Sequence, residues 1–394
     1  METGRILVGV PRETFPGESR VALVPAALPV LAKAGMDVIV EHGAGEAAGF
    51  RDASYEKNGG RLGARVDVFE AEIVVQVRTC GANPDAGRDD IERYHPDQII
   101  AGMADPLVCP IGIQQAAERK VIAFALDFMP RITRAQVMDV LSSQATAVGY
   151  KAVLLAAERL PKLFPMLTTA AGTVPPAQVF VIGAGVAGLQ AIATARRLGA
   201  VVQGYDVRPA AQEDIESLGG RAVLLPLQPG DAEDKSGYAK ELGEAFYRRQ
   251  QEFMAQVVAG SDVVISTALI PGKKAPVLIT EEAVARMQPG SVIVDCAAER
   301  GGNCALTRPN RRVVTDNRVT ILGPTNLASS VPTVASQMYS KNVTAFLTHV
   351  FKDGSLDIDF EDEIVKGTLV TRAGDIVHTR VLESLAEVGH DGSA

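Results

Sequence analysis

Short apolar runs alternate with segments of helical spacing along most of the 394 residues. The apolar runs, many rich in β-branched residues, occur at 6–10, 36–41, 73–77, 98–101, 121–125, 179–182, 201–203, 222–225, 263–266, 291–294 and 319–322. Helical spacing falls between them at 25–34, 55–60, 111–118 and 189–198. Strands that alternate with helices are typical of parallel sheets with right-handed crossovers. The pattern therefore predicts an α/β protein.

Two longer helical segments, at about 135–160 and 333–347, bear on the domain organisation. Thr133 is a candidate N-cap for the first segment, which is long enough to connect two domains. The second segment is expected to return the chain to the first domain. We therefore predict a discontinuous N-terminal α/β domain of residues 1–140 plus 330–394, and a second domain of residues 141–329. The polar tail at 359–380 is expected to form a hairpin or a loop.

Three glycines with G-x-G-x-x-G spacing, Gly183, Gly185 and Gly188, lie between the apolar run 179–182 and the helical segment 189–198. In such a turn the first glycine permits the bend, the second lets the backbone approach a pyrophosphate, and the third lets helix and strand pack closely. The helix N-terminus presents N–H groups and a positive dipole end to the phosphates. The alternative is a glycine-rich turn in a purely structural α/β unit.

Asp206 lies 18 residues after Gly188, just beyond the next predicted strand. A carboxylate there can accept hydrogen bonds from both hydroxyls of an adenosine ribose, and it would repel a 2′-phosphate, which favours NAD(H) over NADP(H). Arg208 weakens this preference, because an arginine could serve a phosphate. The predicted fold is therefore two Rossmann-like domains with mostly parallel sheets and a cleft between them, of which residues 141–329 bind NAD(H).

The composition is that of an ordinary globular protein and excludes several other classes. The net charge is −8 and no block of Lys and Arg stands out, which argues against binding nucleic acid or an anionic membrane surface. The five histidines are scattered, so no metal site is predicted. The four cysteines, which form no C-x-x-C pair and are expected to be reduced, are Cys80, Cys109, Cys296 and Cys304.

The chain is expected to be soluble. Its N-terminus lacks the h-region of a signal peptide. Residues 163–195 carry no charge, but they contain the glycine motif and three prolines. We therefore predict a loop, a buried strand and the start of a helix there rather than a membrane span.

A second group of polar residues lies in RITRAQVMDVLSS at 131–143, where the first long helical segment starts. The group consists of Arg131, Arg134, Gln136, Asp139 and Ser142. Polar side chains at this density could line an interdomain cleft, and an amide such as Gln136 can hydrogen-bond the carboxamide of a nicotinamide. The alternative is a capped and solvated entry to a helix.

Other candidate positions are less specific. The charged segment 230–246 could form a mobile lid that carries Tyr238, or a plain surface loop. The run STALIPGKKAP at 266–276 follows a predicted strand, and loops at such strand ends lie near the ligand crevice of a doubly wound sheet. Arg20 and Arg78 are candidate anion binders or ordinary surface arginines.

Together these motifs resemble those of the NAD(H)-binding component, domain I or alpha subunit, of proton-translocating NAD(P) transhydrogenase. The resemblance covers nearly the whole chain and rests on RITRAQVMDVLSSQ, TAAGTVPPAQVFVIGAGVAGLQAIATARRLGA, SGYAKELGEAF, TALIPGKKAPVLIT and GGNC. The wider superfamily includes alanine dehydrogenase, with which the chain shares the RVAL-x-P opening at 20–25 and the LIPG loop.

The resemblance implies a set of nucleotide contacts. In the segment 131–142, Arg131, Gln136, Asp139 and Ser142 would face NAD(H) and form the catalytic set, with Gln136 touching the nicotinamide; Arg134 is added to the predicted binding residues. The remaining implied binding residues are Gly183, Gly185, Val186, Gly188, Asp206, Val207, Arg208, Gly237, Tyr238 and Leu269. Gly237 and Tyr238 would belong to a mobile loop that closes on the nucleotide. No metal is implied.

The resemblance also implies a reaction and partners. NADH bound here would pass a hydride directly to NADP⁺ on a separate component, and a membrane component would couple the transfer to proton movement. The protein would bring two nicotinamide rings to roughly 3–3.5 Å and exclude water. A homodimer is expected, cytoplasmic and soluble, and peripheral to the membrane through partner subunits.

Alanine dehydrogenase is the main alternative. Its active site uses a lysine in a KVKEP-like motif and a histidine in an LHLA-like motif, where this chain has QVRTC at 76–80 and GMADP at 102–106. Arg78 cannot easily lose a proton near neutral pH, and no histidine is present for acid–base chemistry. Oxidising an amino acid needs that chemistry, whereas hydride transfer between nicotinamides does not. A non-catalytic NAD sensor, which would not require the nicotinamide-side segment 131–142, is the third possibility.

Overall fold

A computed structural model of the chain describes residues 5–224, 244–351, 355–356 and 358–391. Its strands are β1 (Ile6–Val10), β2 (Met36–Glu41), β3 (Arg61–Gly63), β4 (Ile73–Arg78), β5 (Ile99–Met103), β6 (Ile122–Ala125), β7 (Leu167–Thr169), β8 (Gly172–Val174), β9 (Gln178–Ile182), β10 (Val201–Tyr205), β11 (Arg221–Ala222), β12 (Val263–Ser266), β13 (Val292–Asp295), β14 (Arg312–Val314), β15 (Thr320–Leu322), β16 (Leu369–Arg372) and β17 (Asp375–Ile376).

The α-helices are α1 (Leu28–Lys33), α2 (Asp52–Lys57), α3 (Arg65–Phe69), α4 (Arg88–Arg93), α5 (Pro110–Glu118), α6 (Val140–Arg159), α7 (Val186–Arg197), α8 (Ala211–Ser217), α9 (Glu244–Ala259), α10 (Glu281–Ala285), α11 (Pro332–Val350), α12 (Glu363–Thr368) and α13 (Thr379–Asp391). Short 3-10 helices lie at Pro25–Ala27, Glu46–Ala48, Cys80–Ala82, Leu126–Phe128, Thr133–Met138, Ala298–Arg300 and Leu327–Ser330.

The chain divides into two compact units, of which the first consists of Met1–Gln144 and Ser329–Ala394. Its eight-stranded sheet has the order β17-β16-β6-β5-β4-β1-β2-β3. Strands β1 to β6 pair in parallel, whereas β16 runs antiparallel to β6 and to β17. Since β1 lies between β2 and β4, the strand order reverses there, and the carboxyl ends of β1 and β4 flank a topological switch point.

Helix α11 supplies a large part of the core of the first unit. Tyr339, Phe346 and Leu347 on this helix are fully buried, and the Tyr339 hydroxyl donates a hydrogen bond of 2.8 Å to the backbone carbonyl of Gln76 in β4. The parallel strands are buried on both faces, which explains why they read as continuous apolar runs in the sequence. The helix thus fastens a late part of the chain to the early sheet.

The second unit, Ala145–Ala328, contains a seven-stranded sheet in the order β11-β10-β9-β12-β13-β15-β14. All its pairs are parallel except the edge pair β14 and β15. Strand β9 lies between β10 and β12, so the switch point of this sheet is at the end of β9, where the glycine motif begins. Strands β7 and β8 form a separate antiparallel pair.

The structure confirms the α/β alternation but corrects the first long helix. The segment expected to be one helix from about 135 to 160 is a 3-10 helix at Thr133–Met138 followed by α6. Asp139 between them has an extended backbone, with φ −73° and ψ 94°. Thr133 is not an N-cap, because Ile132 occupies that position and makes no side-chain cap bond. The carboxylate of Asp139 instead accepts the backbone N–H of Ser142, which starts α6 at Val140.

Two other expectations need correction. The helix expected at 55–60 is α2 at Asp52–Lys57, because Gly59 has a φ of +86° that ends it. The tail forms the expected hairpin of β16 and β17, but helix α12 precedes it.

The uncharged segment 163–195 forms β7, β8, β9 and part of α7, in agreement with the prediction of a loop, a strand and the start of a helix. Within the ranges that the structure describes, α6 is the one helix long and apolar enough to cross a membrane, on length and composition alone.

Candidate functional site

The glycine turn links β9 to α7 at the switch point of the second sheet. Gly183 has a φ of +90°, which favours glycine, and its N–H donates to the carbonyl of Tyr205 at 2.8 Å. A Cβ on Gly188 would lie only 1.7 Å from the carbonyl oxygen of Gly183. The first and third glycines therefore have the roles that the sequence predicted, since one makes the bend and the other lets helix and strand meet.

Gly185 differs from these two glycines in its surroundings. A Cβ built on it would meet nothing within 4 Å, and its φ of −75° is open to any residue. Neither packing nor backbone strain in this structure requires glycine at this position. The glycine leaves open space in front of the first turn of α7, where Val186 is 39% exposed. A pyrophosphate approaching the helix N-terminus needs this space.

Asp206 follows β10 and connects the glycine turn to the end of that strand. Its carboxylate accepts the N–H of Ala184 at 2.7 Å and the N–H of Arg208 at 2.9 Å. The Arg208 side chain adds two hydrogen bonds to the carboxylate, from Nε at 2.9 Å and Nη2 at 3.0 Å. Because Arg208 is paired with Asp206, a negative carboxylate remains at the ribose position, and the preference for NAD(H) gains a structural reason. Val207 between them is half-buried.

The loop after β12 is held by an asparagine that the sequence reasoning did not single out. Fully buried Asn303 accepts the N–H of Ala268 at 3.1 Å and donates to the carbonyls of Ala268 at 2.9 Å and of Pro276 at 2.8 Å. Leu269, next to the clamped residue, is 44% exposed. The GGNC motif was a signal for this residue, but its letters do not show which loop the asparagine contacts.

Thr267 in the same loop donates to the carbonyl of Gly183 at 3.1 Å, so the loop also contacts the glycine turn. Buried Asp295 at the end of β13 accepts hydrogen bonds from Ser266, Thr307 and the N–H of Cys304. These bonds fix the carboxyl ends of β12 and β13 beside the turn. The predicted residues of the second unit, Gly183, Gly185, Val186, Gly188, Asp206, Val207, Arg208 and Leu269, therefore follow strand ends of one sheet.

The first unit contains the other predicted group, in the segment 131–142. The Asp139 carboxylate accepts the N–H of Ser142 at 2.9 Å and its hydroxyl at 2.5 Å. These two residues therefore form a helix cap, as the alternative interpretation of this segment proposed. Arg131 and Gln136 are exposed. A cap and an exposed amide are compatible, because the cap fixes the loop on which Gln136 lies.

Two contacts within the first unit hold this loop from outside. Asn342 on α11 donates to the carbonyl of Val137 at 2.8 Å and accepts the hydroxyl of Ser143 at 2.6 Å. Arg134 donates from Nη1 to Asp362 at 2.6 Å, just before α12. The predicted cofactor ligand Arg134 thus has a carboxylate partner some 228 residues away in the sequence. Gly237 and Tyr238, the predicted lid residues, lie outside the residues that the structure describes.

A buried charge cluster lies at the switch point of the first sheet. Glu18 accepts two hydrogen bonds from Arg20, at 2.7 and 2.6 Å, and its carboxylate is 3.4 Å from Nε of Arg78. Burial acts to raise the pKa of Glu18, but the hydrogen bonds and charge of Arg20 outweigh it and lower the pKa to about 2. The guanidinium of Arg78 lies 4.0 Å from the ring centre of Phe15. The two candidate anion binders are therefore members of an internal ion network.

Glu13 belongs to the same cluster and has the opposite perturbation. Its carboxylate accepts the N–H groups of Val77 at 2.6 Å and Arg78 at 3.1 Å. Burial, together with the nearby charge of Glu18, raises the pKa of Glu13 to about 8. Among the described residues, no group of three or more His, Cys, Asp or Glu side chains is arranged to hold a metal ion.

The matching family models cover most of the chain. The model "Alanine dehydrogenase/PNT, N-terminal domain" matches residues 9–148, and "Alanine dehydrogenase/PNT, C-terminal domain" matches residues 152–379. The chain belongs to the alanine dehydrogenase/PNT family.

Within this family, relatives at 40–45% identity over 94–97% of the chain are named as the first part of NAD(P) transhydrogenase subunit alpha. The protein of that name from Rhodospirillum rubrum is 45% identical over 376 residues, which are 94% of this chain and 97% of the relative. The NAD(P) transhydrogenase subunit alpha of Haemophilus influenzae is 41% identical over 94% of this chain and 71% of its own length. The crystal structure of transhydrogenase from Sinorhizobium meliloti superposes with a TM-score of 0.83 at 41% identity, covering 94% of this chain and all of that one. The family is one of NAD(H)-binding, dehydrogenase-like proteins with this two-domain α/β fold.

Proposed function

We propose that this chain is the NAD(H)-binding component of a proton-translocating NAD(P) transhydrogenase, and that it presents NADH for direct hydride transfer to NADP⁺ on a partner component. The observation that carries the proposal is the open space at Gly185, between the N-terminus of α7 and the carboxylate of Asp206. A purely structural turn has no need of glycine at a position where a Cβ meets no atom. The same space suits a pyrophosphate, with Asp206 near the adenosine ribose.

Each predicted residue has a task in this proposal. Gly183, Gly185, Val186 and Gly188 would hold the pyrophosphate, Asp206, Val207 and Arg208 would hold the adenosine ribose, and Leu269 would lie against the dinucleotide. Gly237 and Tyr238 would close over it. On the nicotinamide side, Gln136 would orient the carboxamide, and Arg131, Asp139 and Ser142 would maintain the loop. The bound NADH supplies the hydride, and the protein contributes binding, orientation and exclusion of water.

The proposed partners follow from how much of each relative the chain covers. The chain covers 97% of the Rhodospirillum rubrum protein but 71% of the Haemophilus influenzae alpha subunit. This difference supports an arrangement in which the NADP(H)-binding and membrane components are separate polypeptides. We further propose that the chain is a homodimer, that it is cytoplasmic and soluble, and that its partners bring it to the membrane.

The test is hydride transfer from NADH to an NADP⁺ analogue by the purified chain, with and without the NADP(H)-binding component of a transhydrogenase. L-alanine with NAD⁺ is assayed in parallel. Transfer that depends on the added component is the expected result. NADH formation from alanine, without transfer, would refute the proposal and favour amino-acid oxidation.

A further inference from the structure

The nicotinamide-side loop, residues 131–139, is joined to the end of the chain by one ion pair. Nη1 of Arg134 lies 2.6 Å from Oδ2 of Asp362, and Nη2 lies 3.8 Å from Glu363. The arginine is about half exposed, whereas the side chain of Asp362 is only 16% exposed. The pair is therefore anchored on its acidic side.

Asp362 is itself fixed by several contacts. Its Oδ1 accepts the N–H groups of Ile364 at 2.8 Å and Val365 at 3.2 Å, so the residue is the N-cap of α12. His349 near the end of α11 approaches the same oxygen to 3.3 Å. Burial acts to raise the pKa of Asp362, but the hydrogen bonds from Arg134, His349 and the cap outweigh it, and the pKa lies below its usual range. The carboxylate is thus a fixed anion, with one oxygen used for the cap and the other for Arg134.

We propose that Asp362 is a positioning residue for hydride transfer, acting through Arg134 on the loop that carries Gln136. This inference rests on the proposed function, in which Gln136 faces the nicotinamide. Arg134 is then a structural tie of the loop and not a ligand of the nucleotide. The carboxylate holds one side of the loop, and Asn342 holds the other at the carbonyl of Val137.

The arrangement of the loop supports a role in precision. Gln136 lies between the two held points, with Arg134 two residues before it and Val137 directly after it. Ala135 is fully buried, whereas Gln136 and Val137 are exposed, the latter by 63%. Exposed ion pairs contribute little to stability, about 0–1 kcal/mol. A displacement of the reacting groups by about 1 Å can nevertheless cost up to about a hundredfold in rate. The tie is therefore expected to affect catalysis more than folding.

The chain offers a matched pair of variants. Asp362→Asn keeps an oxygen for the α12 cap, because asparagine is a good N-cap, but it removes the anion that Arg134 contacts. Glu361→Gln removes one negative charge from the neighbouring residue, which pairs with exposed Lys366. We expect D362N to lower kcat for hydride transfer by about tenfold while the Kd for NADH stays within about twofold. E361Q is expected to match the parent protein in both.

A double variant separates positioning from a general effect. If Asp362 acts through Arg134, then Arg134→Met lowers kcat to a similar extent, and the double variant R134M/D362N is no slower than either single variant. Additive losses would mean that Asp362 does not act through Arg134, and equal kcat for D362N and E361Q would overturn the proposal.

A reporter that needs no nucleotide keeps this test independent of the proposed function. The chain has no tryptophan, so Val137→Trp places a single fluorophore on the loop. We expect D362N to increase acrylamide quenching and lower the anisotropy of this tryptophan, whereas E361Q leaves both unchanged. Unchanged fluorescence in D362N would overturn the positioning role. If the parent protein fails to transfer hydride while D362N still loosens the reporter, the proposed function is refuted and the tie between Asp362 and the loop stands.

Discussion

Substitution of the second and third glycines by alanine separates nucleotide binding from folding in the same turn. At Gly185 an added Cβ meets no atom within 4 Å, and the backbone already has a conformation that alanine adopts. At Gly188 the same group would lie 1.7 Å from the carbonyl oxygen of Gly183 and 2.8 Å from its carbon. We expect G185A to fold normally and bind NADH poorly, and G188A to be impaired in folding itself.

The magnitudes follow from these contacts. In G188A the helix and the turn must separate by more than about 1 Å, and such overpacking costs roughly 1–3 kcal/mol. For a unit of this size, that is a fall in Tm of roughly 3–10 °C. In G185A the poorer N-cap costs at most about 1 kcal/mol, or roughly 2–4 °C. Losing one charge-assisted hydrogen bond to the pyrophosphate, worth about 2 kcal/mol, raises the Kd for NADH roughly thirtyfold.

Calorimetry measures both effects on the same samples. Scanning calorimetry without nucleotide gives the Tm of each variant, and titration with NADH at a temperature where all are folded gives the Kd. Wild-type affinity in G185A would refute the pyrophosphate assignment and leave the turn as a structural element. A wild-type Tm in G188A would show that the contact of α7 with the turn is not as tight as the geometry requires.

Three further variants test other parts of the proposal. Asp206→Ala is expected to raise the Kd for NADH about tenfold, measured by titration, because it removes the ribose acceptor and leaves Arg208 near the phosphates; an unchanged Kd would remove the ribose assignment. Gln136→Asn should keep the Kd for NADH within a few-fold but slow hydride transfer, and a normal single-turnover rate would make Gln136 a bystander. Glu13→Gln is expected to alter the pH dependence of stability. The pKa of Glu13 is raised from 4.5 to about 8 on folding, so its contribution is complete below pH 4.5 and is lost as the pH rises towards 8. Denaturant unfolding at pH 5 and pH 8 should therefore show a smaller loss of stability in E13Q, and an equal loss would contradict the assignment.

The elements that the sequence predicted best are the buried parallel strands. The runs at 6–10, 36–41 and 263–266 match β1, β2 and β12 residue for residue. A strand covered on both faces must be apolar throughout, so its limits are visible in the letters. Short edge strands such as β3 and β14 carry no such signal, because half of their residues are exposed. The break at Asp139 was missed, since an aspartate inside an apolar helical pattern is equally a solvated helix residue.

The candidate site shows a similar division between local and distant contacts. The roles of Gly183 and Gly188 follow from the spacing of the turn itself, and the geometry agrees with them. The residues that the sequence did not single out, Asn303, Asn342 and Asp362, contact groups 35, 205 and 228 positions away. Their effect depends on which strands and helices are neighbours, and periodicity does not contain that information. Positions near a strand end can be predicted from one motif, whereas the groups that hold them need the fold.

The charge cluster of the first unit bears on the alternative of amino-acid oxidation. That chemistry needs a group that takes a proton from the substrate, and Arg78 holds the position where the resemblance expects a lysine. A guanidinium keeps its proton at any physiological pH. Its Nε is 3.4 Å from Glu18, and its carbon lies 4.0 Å from the ring centre of Phe15. Glu13 has a pKa near neutrality, but its carboxylate accepts the N–H groups of Val77 and Arg78. The ionisable groups of this cluster are thus paired with one another or with the backbone, which suits a protein whose reaction needs two nicotinamides in position and no proton acceptor of its own.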